Sequence, residues 1–244
     1  MEYAAWAKRR GLEEIGFSDH APMPRDDFDD WRMKASELPR YAALVEEARR
    51  AHPEMTIRLG LEVDYLPGME DWIRELSGRY EWDYLIGSVH YVGDWDIDNP
   101  AKASRWESED TLHVWVQYAE RLTEAAASGL FDILGHLDLC KKFGYRPEGK
   151  IAELFRPLLQ LAAEKGLAVE LNTAGLRKEC REMYPSAEIL AMAADYGVGL
   201  TFGSDAHAPR ETAWEFESAV SAAKAAGYDS SLQFIRRRRV RRPL

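Results

Sequence analysis

The segment Tyr84-Leu-Ile-Gly-Ser-Val-His90 is an apolar, strand-like run that stops at a histidine. Four other segments stop in the same way at a histidine, an aspartate or a glutamate: Glu14-Ile-Gly-Phe-Ser-Asp19-His20, Ile57-Arg-Leu-Gly-Leu-Glu62, Phe131-Asp-Ile-Leu-Gly-His136 and Gly199-Leu-Thr-Phe-Gly-Ser-Asp205-Ala-His207. In a parallel α/β protein the carboxyl ends of the strands lie on one face, and the active site lies on that face. The five segments therefore predict a single site that is built from strand ends.

Longer stretches with helical periodicity separate these runs. They are predicted at 37–51 after Ser36, at Met69–Arg79, from Ser108 onward, at about 148–165, from Ser186 to Gly197 and at about 210–226. A further strand-like run, Ala168-Val-Glu-Leu171, precedes Asn172, whereas 93–108 has no clear period and is predicted to be a loop over the active face. Strands that alternate with helices at this spacing predict βαβ units and a parallel sheet. No linker divides the chain, so residues 1–244 are predicted to form a single α/β domain.

Composition narrows the class of protein. With 46% hydrophobic and 30% charged residues, the chain is typical of a globular protein, and 244 residues suit one α/β barrel. The net charge of −10 argues against nucleic-acid binding, and the basic run at 236–242 is interpreted either as a solvated end or as a segment that screens the acidic body of the protein. The two cysteines, Cys140 and Cys180, are predicted to be reduced in a cytoplasmic protein. No apolar run approaches the ~18 residues that suggest a membrane span.

The six histidines fall into two groups. His20, His90, His136 and His207 each end a strand-like run, whereas His52 and His113 lie at the end of a helix or inside one. Imidazole and carboxylate groups are the ligands that first-row divalent metals take. The first four are therefore predicted to bind metal, and the last two to be solvated or partly packed.

Carboxylates complete the predicted centre. Glu62 lies between Leu61 and Val63, so it points either into the barrel or into a surface salt bridge. A buried carboxylate is costly unless it is paired or bound to a metal, which favours a metal-bridging role. Asp205 is assigned to the same ligand set. Asp19 is predicted to orient His20 rather than to bind metal, and Asp138 could do either.

Other routes to catalysis lack their motifs. Ser204 lies in Gly-Ser-Asp-Ala-His, which is not the Gly-x-Ser-x-Gly of a nucleophile elbow. The chain has neither Gly-x-Gly-x-x-Gly nor a Walker motif. The predicted nucleophile is therefore a water molecule activated by bound metal.

An ordered set of motifs resembles the histidinol-phosphate phosphatases of the polymerase-and-histidinol-phosphatase (PHP) superfamily. The matching segments are Phe17-Ser-Asp-His-Ala-Pro22, Leu61-Glu62, Gly87-Ser-Val-His90, Gly135-His-Leu-Asp-Leu139, Glu170-Leu-Asn-Thr173, Leu176-Arg-Lys178, Tyr184-Pro-Ser186 and Gly203-Ser-Asp-Ala-His207. The resemblance implies a distorted (β/α)7 TIM-like barrel of the PHP type. It also implies two or three divalent ions (Zn, Mn or Fe), held by His20, Glu62, His90, His136, Asp205 and His207. Asp19, His20, Asp205 and His207 are the residues expected to carry the catalysis.

The resemblance also implies a His-x-His pair on a first strand, which is absent from these 244 residues. The chain opens directly in a helix, at Glu2 or Tyr3, so the barrel is expected to lack its first strand and the activity of this form to be reduced.

The implied reaction is the hydrolysis of L-histidinol phosphate to L-histidinol and phosphate, a step of histidine biosynthesis. Phosphate needs positive charge beyond the metals, and the candidates are Lys141, Lys142, Arg177 and Arg210. Trp95 either covers the imidazole of the substrate or packs a lid. The predicted partner is thus a small phosphorylated substrate, not nucleic acid or a membrane. The alternatives are a phosphoesterase for another small phosphoester or nucleotide, and a non-catalytic remnant that binds a metal or ligand.

Overall fold

The structure is a computed structural model that describes residues 1–244. Its strands are β1 (Glu14–Phe17), β2 (Thr56–Asp64), β3 (Tyr84–Ser88), β4 (Tyr91–Val92), β5 (Trp95–Asp96), β6 (Ile133–Leu134), β7 (Ala168–Asn172), β8 (Gly199–Gly203), β9 (Ser230–Ile235) and β10 (Arg238–Pro243). Its α-helices are α1 (Glu2–Arg9), α2 (Leu38–Ala51), α3 (Glu70–Gly78), α4 (Thr111–Ser128), α5 (Arg156–Lys165), α6 (Ala187–Asp195) and α7 (Phe216–Ala225). Short 3-10 helices, among them Pro100–Glu107 and Pro209–Glu211, connect several of these elements.

Six parallel strands form one sheet in the order β1-β2-β3-β6-β7-β8, which confirms the predicted α/β class. The sheet curls into a half-barrel. The ring of His20, which follows β1, is 6.0 Å from the ring of His207, which follows β8. The two edge strands therefore direct their carboxyl ends toward the same place.

Strand alternation divides inward from outward side chains. On β2, Leu59, Leu61 and Val63 are buried in the core between the sheet and the helices, so Glu62 and Asp64 fall on the inner face. Inside the half-barrel Tyr84 fills the lower layer, and its ring lies where a side chain at Gly16 or Gly60 would be. Apolar residues thus occupy the floor and polar residues the upper layer.

The C-terminal hairpin closes the floor of the half-barrel. Phe234 of β9 is 4% exposed and packs with Tyr84, Ile86, Ile133 and Ala168. The basic segment is therefore not a free end, because 230–243 forms a two-stranded antiparallel hairpin that packs against the sheet. Its arginine side chains outside the turn are nevertheless exposed, as expected.

Contacts from its turn explain why this basic segment is ordered. Arg236 and Arg237 form the turn with φ of 49° and 62°, as hairpin turns of two residues require. The amide of Arg236 donates to Asp83 Oδ1 at 3.1 Å, and the Arg237 guanidinium donates to Asp132 at 2.7 Å. Aspartates at the amino ends of the strands thus fix the turn.

Element boundaries depart from the predictions where local hydrogen bonds decide them. The segment 93–108 is not a structureless loop, because β5 pairs with β4 and Pro100–Glu107 forms a 3-10 helix. The fourth helix starts after Asp110, whose side chain caps the amide of His113, and not at Ser108.

Two further predictions concern the state of the cysteines and the presence of a membrane span. Both cysteines are free. Among the helices, none combines the length and the apolar character that crossing a membrane requires.

Candidate metal centre

All six residues predicted to bind metal line one cavity at the carboxyl ends of the strands. The cavity has a volume of about 390 Å³. The six are His20, Glu62, His90, His136, Asp205 and His207. The other lining residues include Asp30, Trp31, Asp96, Asp98, Asn99, Lys142, Lys178 and Tyr184. The structure thus brings together groups that lie up to 187 positions apart in the chain.

Glu62 lies at the centre of this group. Its Oε1 accepts a hydrogen bond from Ser88 Oγ at 2.6 Å and lies 3.1 Å from His136 Nε2. Its Oε2 is 3.5 Å from His20 Nδ1, and its Oε1 is 3.8 Å from His90 Nε2. Because β2 alternates, the inward direction weighed for Glu62 is the one that the structure adopts.

The charges of the centre depend on one another. Burial alone would raise the pKa of Glu62, but the imidazoles of His20 and His136 outweigh it and hold that pKa well below its ordinary range. Burial opposes charge on His90, yet Asp64 outweighs it and raises the pKa of His90 to about 10. The cavity therefore stabilises cationic groups beside its carboxylates.

Asp64 fixes the orientation of His90. Its Oδ1 lies 2.8 Å from His90 Nδ1 and accepts the His90 backbone amide at 3.1 Å. Burial would raise the pKa of Asp64, but His90 and Arg32 lower it to about 2. An ionised Asp64 accepts a hydrogen bond from Nδ1–H, so Nε2 is the nitrogen of His90 that would bind a metal, and the metal would displace the Nε2 proton.

Asp205 occupies a constrained turn after β8. Its φ of 45° is in the left-handed region, which aspartate tolerates better than most residues. Arg177 Nη2 donates to the carbonyl oxygens of Ser204 and Asp205 at 2.9 and 3.1 Å. Asn172 Nδ2 donates to Asp205 Oδ2 at 3.3 Å. Both neighbours therefore hold the Asp205 carboxylate toward the cavity.

Glu170 is a further inward carboxylate, placed by the alternation of β7. Its Oε2 accepts from Asn172 Nδ2 at 3.0 Å and from the His136 amide at 3.3 Å. Burial raises the pKa of Glu170 to about 7 despite the opposing effect of His136. This group is therefore poised between its neutral and charged forms near neutral pH.

The donor set fits a divalent metal. Ligand atoms of His20, Glu62 and His90 all lie within 4.8 Å of one another. His136 Nδ1 is buried and has no hydrogen-bond partner in the protein. A buried ring nitrogen without a partner is costly, and a metal or water would satisfy it. Mixed imidazole and carboxylate ligands suit zinc, manganese and iron.

The predicted phosphate ligands separate into one that lines the cavity and three that do not. Lys142 lines the cavity, and its ammonium donates to Asp98 Oδ2 at 2.8 Å. Lys141 is fully buried and donates to Asp138 Oδ2 at 2.7 Å, so its assignment to the substrate is wrong. Arg177 braces the Asp205 turn, and Arg210 is exposed outside the cavity lining, so their positions do not support the assignment either.

Three further assignments are corrected or decided by the structure. Asp19 Oδ1 accepts from the backbone amide of His20 at 2.8 Å, so it orients the chain rather than the imidazole. Asp138 is buried and bonds to Lys141 and to the Ser186 amide, not to the predicted metal ligands. Trp95 is 2% exposed and packs on Trp106, which decides in favour of packing.

Several residues of the site escaped sequence reasoning. The sequence contained a signal for Asp64 and Glu170. Each lies two positions from a polar site residue on the same strand, so its side chain points to the same inner face of the sheet. Trp31 and Asp30 had none, because they lie on a connection whose path the local sequence does not determine. Lys178 lies in the matching segment Leu176-Arg-Lys178, but no role was assigned to it.

Comparison with known proteins agrees with this geometry. The model of the PHP domain matches residues 1–174. A probable histidinol-phosphatase of Deinococcus radiodurans is 42% identical over 220 residues, which cover 90% of this chain and 84% of that protein. The histidinol-phosphatase of Bacillus subtilis is 29% identical over 243 residues, covering 89% and 90%.

A solved structure shows the same fold. The histidinol phosphate phosphatase of Lactococcus lactis, in complex with zinc, L-histidinol and phosphate, superposes with a TM-score of 0.84 at 21% identity. The match covers 98% of this chain and 91% of that one. The half-barrel of this chain is therefore the TIM-like arrangement of those proteins.

Proposed function

The chain belongs to the PHP domain family, and from this premise we propose that it is a metal-dependent phosphomonoesterase that hydrolyses L-histidinol phosphate to L-histidinol and phosphate. The observation that carries the proposal is the convergence of six imidazole and carboxylate side chains on one cavity. The D. radiodurans relative, with 42% identity over 90% of this chain, supports the choice of substrate.

His20, Glu62, His90, His136, Asp205 and His207 would hold the metal. Two or three ions of zinc, manganese or iron are proposed. Such ions lower the pKa of water and stabilise negative charge on phosphoryl oxygens.

The other side chains of the chain hold these ligands in place. Ser88 fixes Glu62, Asp64 fixes His90, and Asn172 fixes Asp205. His207 Nδ1 lies 3.1 Å from the Asp205 carbonyl oxygen, which can only accept, so Nδ1 carries the proton. Pre-set ligands of this kind reduce the reorganisation that the reaction requires.

The cavity wall carries charges that match both ends of the substrate. Lys142 and Lys178 offer positive charge for the phosphate, and Lys178 forms no ion pair within the chain. Asp30 is likewise free of ion pairs and lies beside Trp31, whose ring meets His20 at 4.7 Å. A carboxylate next to an aromatic face suits the cationic amino alcohol and imidazole of histidinol.

The test is phosphate release from histidinol phosphate and from a panel of other phosphomonoesters, including a nucleotide, with Zn²⁺, Mn²⁺ or Fe²⁺. The expected result is metal-dependent hydrolysis with the highest kcat/KM on histidinol phosphate. No release with any of these metals, or a higher kcat/KM on another ester, would overturn the assignment.

A further inference from the structure

Arg32 occupies a buried position between the predicted metal ligand His90 and a surface segment. The side chains of Arg32, Asp64 and Asp29 are 4%, 2% and 8% exposed. Arg32 Nη2 donates a hydrogen bond to Asp64 Oδ2 at 2.9 Å. The other oxygen of Asp64, Oδ1, accepts a hydrogen bond from His90 Nδ1 at 2.8 Å. The Arg32 guanidinium is thus linked to the predicted metal ligand His90 through the Asp64 carboxylate.

The other side of the same guanidinium holds the segment 21–34. Arg32 Nε lies 2.8 and 2.7 Å from the two oxygens of Asp29, and Nη1 donates to the Ala21 carbonyl at 3.3 Å. Tyr91 OH donates to Asp29 Oδ2 at 2.8 Å. This buried cluster therefore helps to fasten the segment to the half-barrel. Two further bonds contribute: Trp72 Nε1 donates to the Pro22 carbonyl at 2.8 Å, and the Ala21 amide donates to the Glu62 carbonyl at 2.7 Å.

The fastened segment supplies part of the cavity wall. The Arg32 guanidinium lies 4.2 Å from the centroid of Trp31. The Trp31 ring meets His20 edge-on at 4.7 Å and His90 at 5.4 Å. Asp30 and Trp31 both line the cavity. Loss of Arg32 would therefore disturb a ligand and a wall together.

We propose that Arg32 is a positioning residue that couples the docking of 21–34 to the orientation of His90. The proposal rests on the proposed metal centre. Charge alone does not suffice for this role, because the planar fork of arginine bonds to Asp29, Asp64 and a carbonyl at once, and a lysine ammonium has no such geometry. Removing Arg32 would also leave two carboxylates buried together without their cation, which is costly.

The first test measures Co²⁺ affinity by competition with a chromophoric chelator, together with the visible spectrum of the Co²⁺ protein. The variants are Arg32→Met and Arg32→Lys, and the matched control is Arg49→Met. Arg49 pairs with the buried Asp83 at the opposite end of the strands. We expect the Arg32 variants to lose about 10–100-fold in affinity, as losses of groups that orient metal ligands do, and to change the spectrum. The control should do neither.

A double-mutant cycle tests whether Arg32 acts through Asp64. The Co²⁺ affinity of Arg32→Met/Asp64→Asn should fall less than the product of the two single losses, because both changes release the same imidazole. Independent, multiplicative losses would overturn the coupling. If Arg32→Met does not fold, the cycle uses Arg32→Lys.

Hydrogen exchange of the metal-free protein tests the second part of the proposal, which is that Arg32 docks the segment 21–34. Peptides from 21–34 should exchange faster in both Arg32 variants than in the wild type and the Arg49→Met control. Unchanged exchange with unchanged Co²⁺ affinity would overturn this proposal alone. A wild-type protein that binds no Co²⁺ would overturn the proposed metal centre as well.

Discussion

At the scale of single residues, the site depends on carboxylates that are kept ionised by imidazoles. Burial opposes the charge of Glu62, and the pKa of that group is lowered only because three histidines surround it. Each imidazole is held in turn by a carboxylate or by a backbone contact. The members of the centre therefore depend on one another. Replacing one charged member with a neutral side chain changes the electrostatic environment of every neighbour.

Replacing Glu62 with glutamine tests this dependence. The side-chain volume is kept, but the central negative charge is removed, so divalent metal affinity should fall by at least about 10–100-fold. Competition titration with Zn²⁺ or Mn²⁺ measures the loss. His113→Gln, an exposed change on α4, is the matched control and should bind like the wild type. Equal affinity of Glu62→Gln and the control would contradict the central role of Glu62.

Glu170 predicts a dependence of stability on pH in the metal-free protein. Its pKa is raised from 4.5 to about 7, so the folded state holds the proton more tightly than the unfolded chain. That stabilising contribution is complete below pH 4.5 and is lost as the pH rises through 7. Relative to Glu170→Gln, the wild type should lose up to about 3 kcal/mol of unfolding free energy between these limits.

Urea unfolding of both proteins with a chelator, at pH 5 and at pH 8, measures this difference. Parallel changes of the two proteins with pH would show that Glu170 does not titrate in this window.

At the scale of elements, the strands carry chemistry at their carboxyl ends and structure at their amino ends. The inner face of β2 passes from Gly60, which makes room for Tyr84, to Glu62 and Asp64. At the other end, the hairpin of β9 and β10 covers the floor. The two ends can therefore be perturbed separately.

Phe234→Ala tests the contribution of the hairpin. The phenyl ring is 4% exposed inside the half-barrel, and its loss should lower the unfolding free energy by about 3–5 kcal/mol. Urea denaturation measures the effect. Arg241→Ala on β10, where the side chain is 74% exposed, should change stability by less than about 0.5 kcal/mol. A small effect of Phe234→Ala would mean that the hairpin is dispensable.

The two edge strands leave the half-barrel open between them. Within the sheet, β1 and β8 each pair on one side only.

At the scale of the whole molecule, folding and metal binding are linked. The cavity gathers ligands from five different parallel strands or the loops after them, so the unfolded chain has no comparable site. A ligand that binds only the folded state stabilises it by mass action.

Melting temperature should therefore depend on metal. At about 100 times its Kd, an ion adds ~2.7 kcal/mol, which for a chain of this size raises Tm by roughly 5–10 °C. Thermal denaturation with Zn²⁺ or Mn²⁺, and with a chelator, measures the shift. A Tm that responds to neither addition would argue against a metal centre in this protein.

The sequence by itself determined the α/β class, the parallel sheet and the six side chains that converge on one cavity. The reason is local. Apolar runs define the strands, and the carboxyl ends of parallel strands all lie on one face, so the polar residues at those ends meet there. Alternation also contained the signal for Asp64 and Glu170, since residues two apart share a face.

Only the tertiary structure decided the roles of the connections. Lys141 and Lys142 are adjacent in sequence, yet one is buried in an ion pair and the other lines the cavity. The basic end looks like a solvated tail, but Asp83 and Asp132 order it as a hairpin. Arg32 lies at the centre of its cluster because Asp29 and Asp64, 35 positions apart, meet around it. Such contacts depend on long-range packing, which no local pattern of residues encodes.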